Sequence, residues 1–375
     1  MVREDLISRQ RLQKVFLELV NINSPSFEET VLGEFLIKAL ERCGCTVLLQ
    51  EYDRSFNLIG RMKGNAPGFP PLLLSAHMDT IEPTEGIRIS IDDEKIRSAG
   101  ETVLGADDKS AIAQILEALA VIAGHDLPHG DLEVVFTSAE ERGLIGARSL
   151  DFSALASRHA VVLDSAGSVG NIIIGAPTHL TYEMTVVGRA AHAGIEPEKG
   201  ISAIRAAAQI IASVPDGRLN SGTTANIGMI RGGTATNVVP KEVVIRGEIR
   251  SHDQEMLLKV RDEIRGRAEQ AASEHQVEVK ISEHEEYRTF RLDPGEPFVR
   301  YMAGTLARCG IEPVLTLTGG GSDASVFNEM GIRAVNISNG MQKVHSNEEF
   351  ILQKDLFDGC RVLLECISGM ASFEQ

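Results

Sequence analysis

The sequence predicts an α/β domain with a central, mostly parallel sheet, interrupted by an inserted α+β domain with the ferredoxin-like order βαββαβ. Two observations carry this. Apolar runs such as "PPLLLSAHMD", "DLEVVFTSAEE" and "HAVVLDSAG" alternate with helical patterns and end in carboxylates or imidazoles, as buried parallel strands do. Near residue 180 the pattern changes to strand, helix, two strands, long helix and strand, the split β-α-β order, before α/β character returns.

The elements follow in order. "RLQKVFLELVNI" and "FEETVLGEFLIKALERCG" carry apolar residues at helical spacing. Ser24, Pro25 and Ser26 punctuate the gap between them, with Ser26 a candidate cap for the second helix. "TVLLQEY" and "NLIGRM" read as short strands, and "DDKSAIAQILEALAVIAG" as a helix that opens on acids. In the insert, "HLTYEMTVVGRA", "TTANIGMIRGG", "KEVVIRGEIRS" and "VEVKISEHEEY" are the strands; "GISAIRAAAQIIASV" and "DQEMLLKVRDEIRGRAEQAASEH" are the helices. "GEPFVRYMAGTLARCG", "PVLTLTG", "GSDASVFNEMG", "RAVNIS" and "LQKDLFDGCRVLLECISGMA" complete the outer domain. The expected boundaries are 1–178 with 293–375 for the outer domain and 179–292 for the insert.

A chain of 375 residues has room for more than one domain. With 43% hydrophobic and 24% charged residues, it has the composition of a soluble globular protein. Its formal net charge of −16 argues against nucleic acid and anionic membrane as partners. No apolar stretch is long enough to span a bilayer. The start "MVREDLISRQ" lacks a secretory apolar core, so a cytoplasmic location is expected. The five cysteines form no C-x-x-C pair, which disfavours a thiolate zinc site and favours buried free thiols.

The candidate chemistry gathers at strand ends, where ligands of open α/β sheets collect. In "SAHMDT", His77 and Asp79 stand two apart. On an extended strand end they point the same way, so Asp79 could hold the His77 ring; a histidine satisfied in a turn is the alternative. "LGADDKSA" places Asp107 and Asp108 where acids also simply favour a helix N-terminus. "TSAEERG" supplies Glu140 and Glu141. On an extended strand end they would point oppositely, one to bind a metal and the other to face its water, unless both merely face solvent. "VVLDSAG" adds Asp164, and "QKVHSNEEF" adds His345. Imidazole and carboxylate without cysteine suit zinc, cobalt or manganese. Five ligands, His77, Asp107, Glu141, Asp164 and His345, exceed what one catalytic zinc takes and suit two metals sharing a carboxylate.

These stretches, with "TSAEERGLIGA", "VGRAAHAGIEPEKGISAI", "GGTATNVVP", "GEIRS", "GGGSDAS" and "VHSNEE" in this order, resemble the M20 co-catalytic metallopeptidases. Among them the chain is most similar to the peptidase T-like, or tripeptidase, branch. The resemblance covers nearly the whole chain. It implies that His77 and Asp164 hold one metal, Glu141 and His345 the other, and that Asp107 bridges them. It also implies that Asp79 orients His77, that Glu140 is the general base, and that the Asp107–Asp108 peptide is cis. His192 would reach the partner subunit's site in a homodimer formed through the insert. Asn237 and Arg250 would bind substrate, Arg250 by gripping a terminal carboxylate. "GGGSDAS" would line the site by its backbone.

The implied activity is hydrolysis of short peptides by an aminopeptidase or tripeptidase with two divalent ions, zinc first. A carboxypeptidase or an N-acyl-amino-acid deacylase is the near alternative, and a non-catalytic metal-binding protein on the same fold the remote one. Aminopeptidases of a related family share the H-x-D and E-E pattern; the βαββαβ insert argues against that assignment.

Overall fold

The computed structural model describes residues 4–373, which divide into two compact units. The first comprises the chain up to Ile174, Arg291–Leu317 and the segment from Ser322 onward; the second comprises Gly175–Phe290 and Thr318–Gly321.

The first unit is built on an eight-stranded sheet. At its centre Leu72–His77 lies between Leu132–Thr137 and His159–Ser165, parallel to both, and Arg333–Ser338 is parallel to the last. Every residue of Leu72–His77 and Leu132–Thr137 is buried. That explains why both read as unbroken apolar runs rather than alternating ones. Thr46–Tyr52 and Ser55–Met62 form an antiparallel hairpin that joins one side of this parallel core. The helix Ala106–His125 packs on the central strand and against Arg9–Val20 and Gln353–Gly369. It is buried along most of its length, which its run of alanine and isoleucine anticipates.

A smaller four-stranded sheet was not legible in the sequence. Ile89–Ile91, Lys95–Ser98, Phe350–Leu352 and Met341–Gln342 form it. It joins the segment before the long helix to a hairpin from the C-terminal third of the chain. These strands are two to four residues long, too short for periodicity to register.

The second unit is a five-stranded sheet with two helices. Four strands follow the expected order, with Thr178–Val187 between Glu242–Ser251 and Glu278–Tyr287, all antiparallel, and Thr223–Gly232 beyond. A fifth strand, Gly217–Asn220, is an addition to the predicted six elements. The helices Ala203–Ser213 and Gln254–His275 bury Ala206, Ile210, Leu257 and Ile264 against Met184, Val186 and Ile245.

Among the described residues no helix is long and apolar enough to cross a membrane. The five cysteines are free, with Cys45, Cys360 and Cys366 buried.

The short helix Ile145–Arg148 passes too close to the end of Leu132–Thr137 for a side chain at Gly146. A Cβ on Gly146 would overlap the Ser138 carbonyl oxygen and crowd Asn57 Oδ1. Gly146→Ala should therefore lower stability by about 1–3 kcal/mol, as overpacking against backbone does, read from urea melts of the two proteins.

Candidate metal centre

Parallel pairing puts the ends of three neighbouring strands side by side, and the predicted residues come with them. His77 closes one strand; Glu140 and Glu141 follow Leu132–Thr137; Asp164 lies near the end of His159–Ser165. The expectation of an extended strand end at the glutamates does not hold. Ala139 takes a left-handed φ of 49°, and Glu140–Arg142 form a 3-10 turn. The two carboxylates are therefore separated by the turn and not by strand alternation. Asp79 sets this turn: it accepts from Glu140 N at 2.9 Å and Glu141 N at 3.2 Å. Ser26 does not cap the second helix, which starts at Thr30 without a side-chain cap. Its hydroxyl donates instead to Asp79 Oδ2 at 2.7 Å.

Asp107 lies at the start of the long helix, where its backbone and that of Asp108 are not yet helical. The Asp107–Asp108 peptide is cis, as the resemblance implies. Asp107 faces both histidines, with Oδ1 3.0 Å from His77 Nε2 and Oδ2 3.3 Å from His345 Nε2. His345 Nε2 is also 2.9 Å from Glu141 Oε1, and His77 Nε2 is 3.9 Å from Asp164 Oδ1. Three groups result among the described residues, His77–Asp107–Asp164, Asp107–Glu141–His345 and His77–Glu140–Glu141, each with its donor atoms within 4.8 Å of one another; the first two share Asp107. His77 Nδ1 is 2.8 Å from the Asp79 carbonyl and 3.5 Å from its carboxylate. The residue two positions on thus engages the ring mainly through its backbone.

The electrostatics are those of an acid cluster short of positive charge. Burial, then the Asp107 charge, pushes Asp164 well above the usual carboxylate range. Burial, then Asp164, does the same to Glu140. Burial opposes charge on His77 but is outweighed by Asp107 and Asp79, so its pKa rises. Hydrogen bonds to Asp107 and Glu141 raise His345 to about 10. Against burial, the histidines hold Asp107 and Asp79 below the usual carboxylate range, while Asp164 and Glu140 resist ionising for want of further positive charge, which a divalent ion would supply. The donor set holds two imidazoles, carboxylates and no thiolate, and it fits zinc, cobalt or manganese.

The sequence matches the peptidase dimerisation domain over residues 174–276 and peptidase family M28 over 57–191. It is 35% identical to the aminopeptidase PepT of Bacillus cereus, covering 98% of this chain and all of that one, with a TM-score of 0.89. A tripeptidase of Staphylococcus aureus is 34% identical at the same coverage, with a TM-score of 0.93. The chain belongs to the peptidase T-like branch of the M20 metallopeptidases. The M28 match spans the segment from before His77 to beyond Asp164, the part that shares the H-x-D and E-E pattern. The dimerisation domain is what separates the two families here. The YXEP protein of Bacillus subtilis, described as a dinuclear metal-binding peptidase of the M20 family, shares the fold at 19% identity and a TM-score of 0.74.

The remaining predicted residues of this M20 peptidase lie in the second unit. His192 and Asn237 sit on two paired loops: His192 bridges to Val238, and Ala193 N donates to Asn237 O at 2.9 Å. Both side chains are exposed. Arg250 stands apart, on the strand Glu242–Ser251. Its fork donates to Glu248 at 3.0 and 3.2 Å, and its remaining amine donates to Tyr287 Oη and Gly319 O. His179 holds Glu248 from the other side at 2.9 Å and pulls its pKa down to about 2.

Several site residues escaped the sequence reading. Asn339 donates to Asp108 Oδ1 and to the Leu163 carbonyl, and Asn336 brackets the Asp164 backbone from both sides. Glu29, buried, accepts from Ala139 N at 2.9 Å. Asp323, within "GGGSDAS", takes a 2.5 Å hydrogen bond from Thr137 Oγ1, while its other oxygen is buried without a partner. Only the acid in that glycine-rich stretch hinted at the last of these.

Burial raises Asp323 from an ordinary 3.8 to about 6. A carboxylate raised by folding costs nothing below its unfolded pKa, and the cost grows as pH rises to the folded value. In metal-stripped protein, Asp323→Asn should therefore gain stability over wild type as pH rises through about 4 to about 6, by up to about 3 kcal/mol. Thermal melts of both proteins across that window give the measurement.

Proposed function

We propose that this M20 peptidase is a two-metal aminopeptidase of short peptides, tripeptides among them. One observation carries the reading: Asp107 turns one carboxylate oxygen to His77 and the other to His345. A bridging acid needs that disposition, and a helix-cap acid does not. His77 and Asp164 would hold one ion, Glu141 and His345 the second, with Asp107 shared. Zinc, with cobalt or manganese as substitutes, would lower the pKa of water and polarise a peptide carbonyl when bound.

The chain's own residues do the rest. Glu140, beside Glu141 on the turn that Asp79 holds, would accept a proton from the attacking water and pass it to the departing amine. Asp79 fixes the turn that carries Glu140 and Glu141 and limits the rotation of the His77 ring. His192, exposed on its loop, would donate to the oxyanion in the site of a second subunit. Asn237 and Arg250 would bind the substrate backbone and a carboxylate.

A homodimer through the second unit is supported by the edge of its sheet. Among the described residues, Gly217–Asn220 pairs only with Thr223–Ala225, so the rest of Thr223–Gly232 presents an open edge. Met229, Ile230 and the nearby Ile204 are exposed there. An unpaired edge with exposed apolar side chains invites a second strand, although a bulge between Ile227 and Met229 interrupts this one.

Glu140→Gln should keep both metals by elemental analysis and lose turnover by roughly a hundred- to ten-thousand-fold. Asp107→Asn should lose both metals; full occupancy would remove it as the bridge. Of a tripeptide and its N-acylated form, only the free-amino peptide should be cut, and from its amino end, as read by mass spectrometry. Faster cleavage of the acylated form would move the reading to deacylation.

A further inference from the structure

The hairpin that carries His345 is tied to the bridging segment by a carboxylate the chemistry above does not use. Glu349 is 1% exposed. Its Oε2 accepts from Gly105 N at 2.8 Å and its Oε1 from Asp107 N at 3.0 Å. Gly105 is the cap residue of the helix Ala106–His125, has a φ of +74° and provides no side-chain cap. The first helical N–H groups would otherwise be orphans. Glu349 thus holds the non-helical entry to this helix from 242 positions away in sequence.

This contact joins two metal-centre loops. Four residues before Glu349 on the same hairpin, His345 takes a left-handed φ of 60°. Immediately after Glu349 the chain enters Phe350–Leu352, which pairs with Lys95–Ser98 upstream of Asp107. Glu349 N donates to Ser346 O at 3.1 Å and closes the loop on itself. With the hairpin's return strand fixed on one side and the Asp107 amide gripped on the other, His345 Nε2 stays 3.3 Å from Asp107 Oδ2.

We propose that Glu349 is a positioning residue of the metal centre: its buried carboxylate locks the Asp107 segment to the His345 loop and so sets the spacing of the ion position those two residues share. This rests on the two-metal reading. A ligand held at the wrong spacing binds its ion more weakly even when its own chemistry is intact. Glutamine would turn an N–H toward one of the two amides Glu349 now accepts from. Aspartate keeps the charge on a shorter arm. Neither change alters the side chain of a ligand.

The test titrates metal-stripped wild type, Glu349→Gln and Glu349→Asp with Co2+, following calorimetry and the visible absorption of the bound ion, beside melts of the metal-free proteins. Wild type should take two ions. Glu349→Gln should weaken one site by roughly 10–100-fold with an altered cobalt spectrum. Glu349→Asp, which keeps a carboxylate there and so protects folding, should fall between. Two ions in wild type with unchanged affinities and spectra in both variants overturn the proposal, even where the melting temperature drops, because the carboxylate then only holds the helix entry. Fewer than two ions in wild type overturn the two-metal reading itself.

Discussion

Too much negative charge in too little water is the constraint on which this structure turns. Asp79, Asp107, Glu140, Glu141 and Asp164 converge at the ends of neighbouring parallel strands, with only two imidazoles among them. Removing ionised carboxylates from water is costly, and each raises the cost of the next. The fold supports the arrangement because its strands are buried on both faces and its ends open onto a shared edge. Such a site is a poor contributor to stability on its own. It makes sense as a receptacle for cations that bind the folded chain and not the unfolded one.

Around this cluster the protein uses acids that bind no ion as backbone acceptors. Asp79 takes the amides of Glu140 and Glu141, Glu29 takes that of Ala139, and Glu349 takes those of Gly105 and Asp107. Each grips a loop where it changes direction, including two points with left-handed backbone, Gly105 and Ala139. On the strand that bears Asp164, Asn336 accepts from the Asp164 amide and Asn339 donates to the Leu163 carbonyl. Charge-assisted acceptors hold backbone more firmly than neutral ones, and a metal centre needs its ligands held to fractions of an ångström.

Much of this was legible before the structure. Unbroken apolar runs ending in His77, Glu140 and Asp164 announced buried parallel strands with chemistry at one edge, because burial on both faces removes alternation. Helical periodicity marked Arg9–Val20 and Gln254–His275 for the same reason in reverse. Ser26 is the instructive failure. Serine before a helical pattern suggests a cap, yet its hydroxyl found Asp79, a stronger acceptor that sits 53 residues away. The glutamate pair was read as an extended end because nothing local signals that an alanine will adopt a positive φ. Ala139 does so while its amide donates to the Glu29 carboxylate.

The sequence by itself determined the fold class, the order of the long helices and strands, and the set of residues able to bind metal. Those follow from hydrophobic period and side-chain chemistry, both local properties. Tertiary structure alone decided how the set is arranged: which oxygen of Asp107 faces which histidine, that the glutamates share a tight turn, and that Glu349 reaches back to the segment of Asp107. Those depend on contacts between residues tens to hundreds of positions apart, and their geometry is fixed only when the sheet brings the strand ends together.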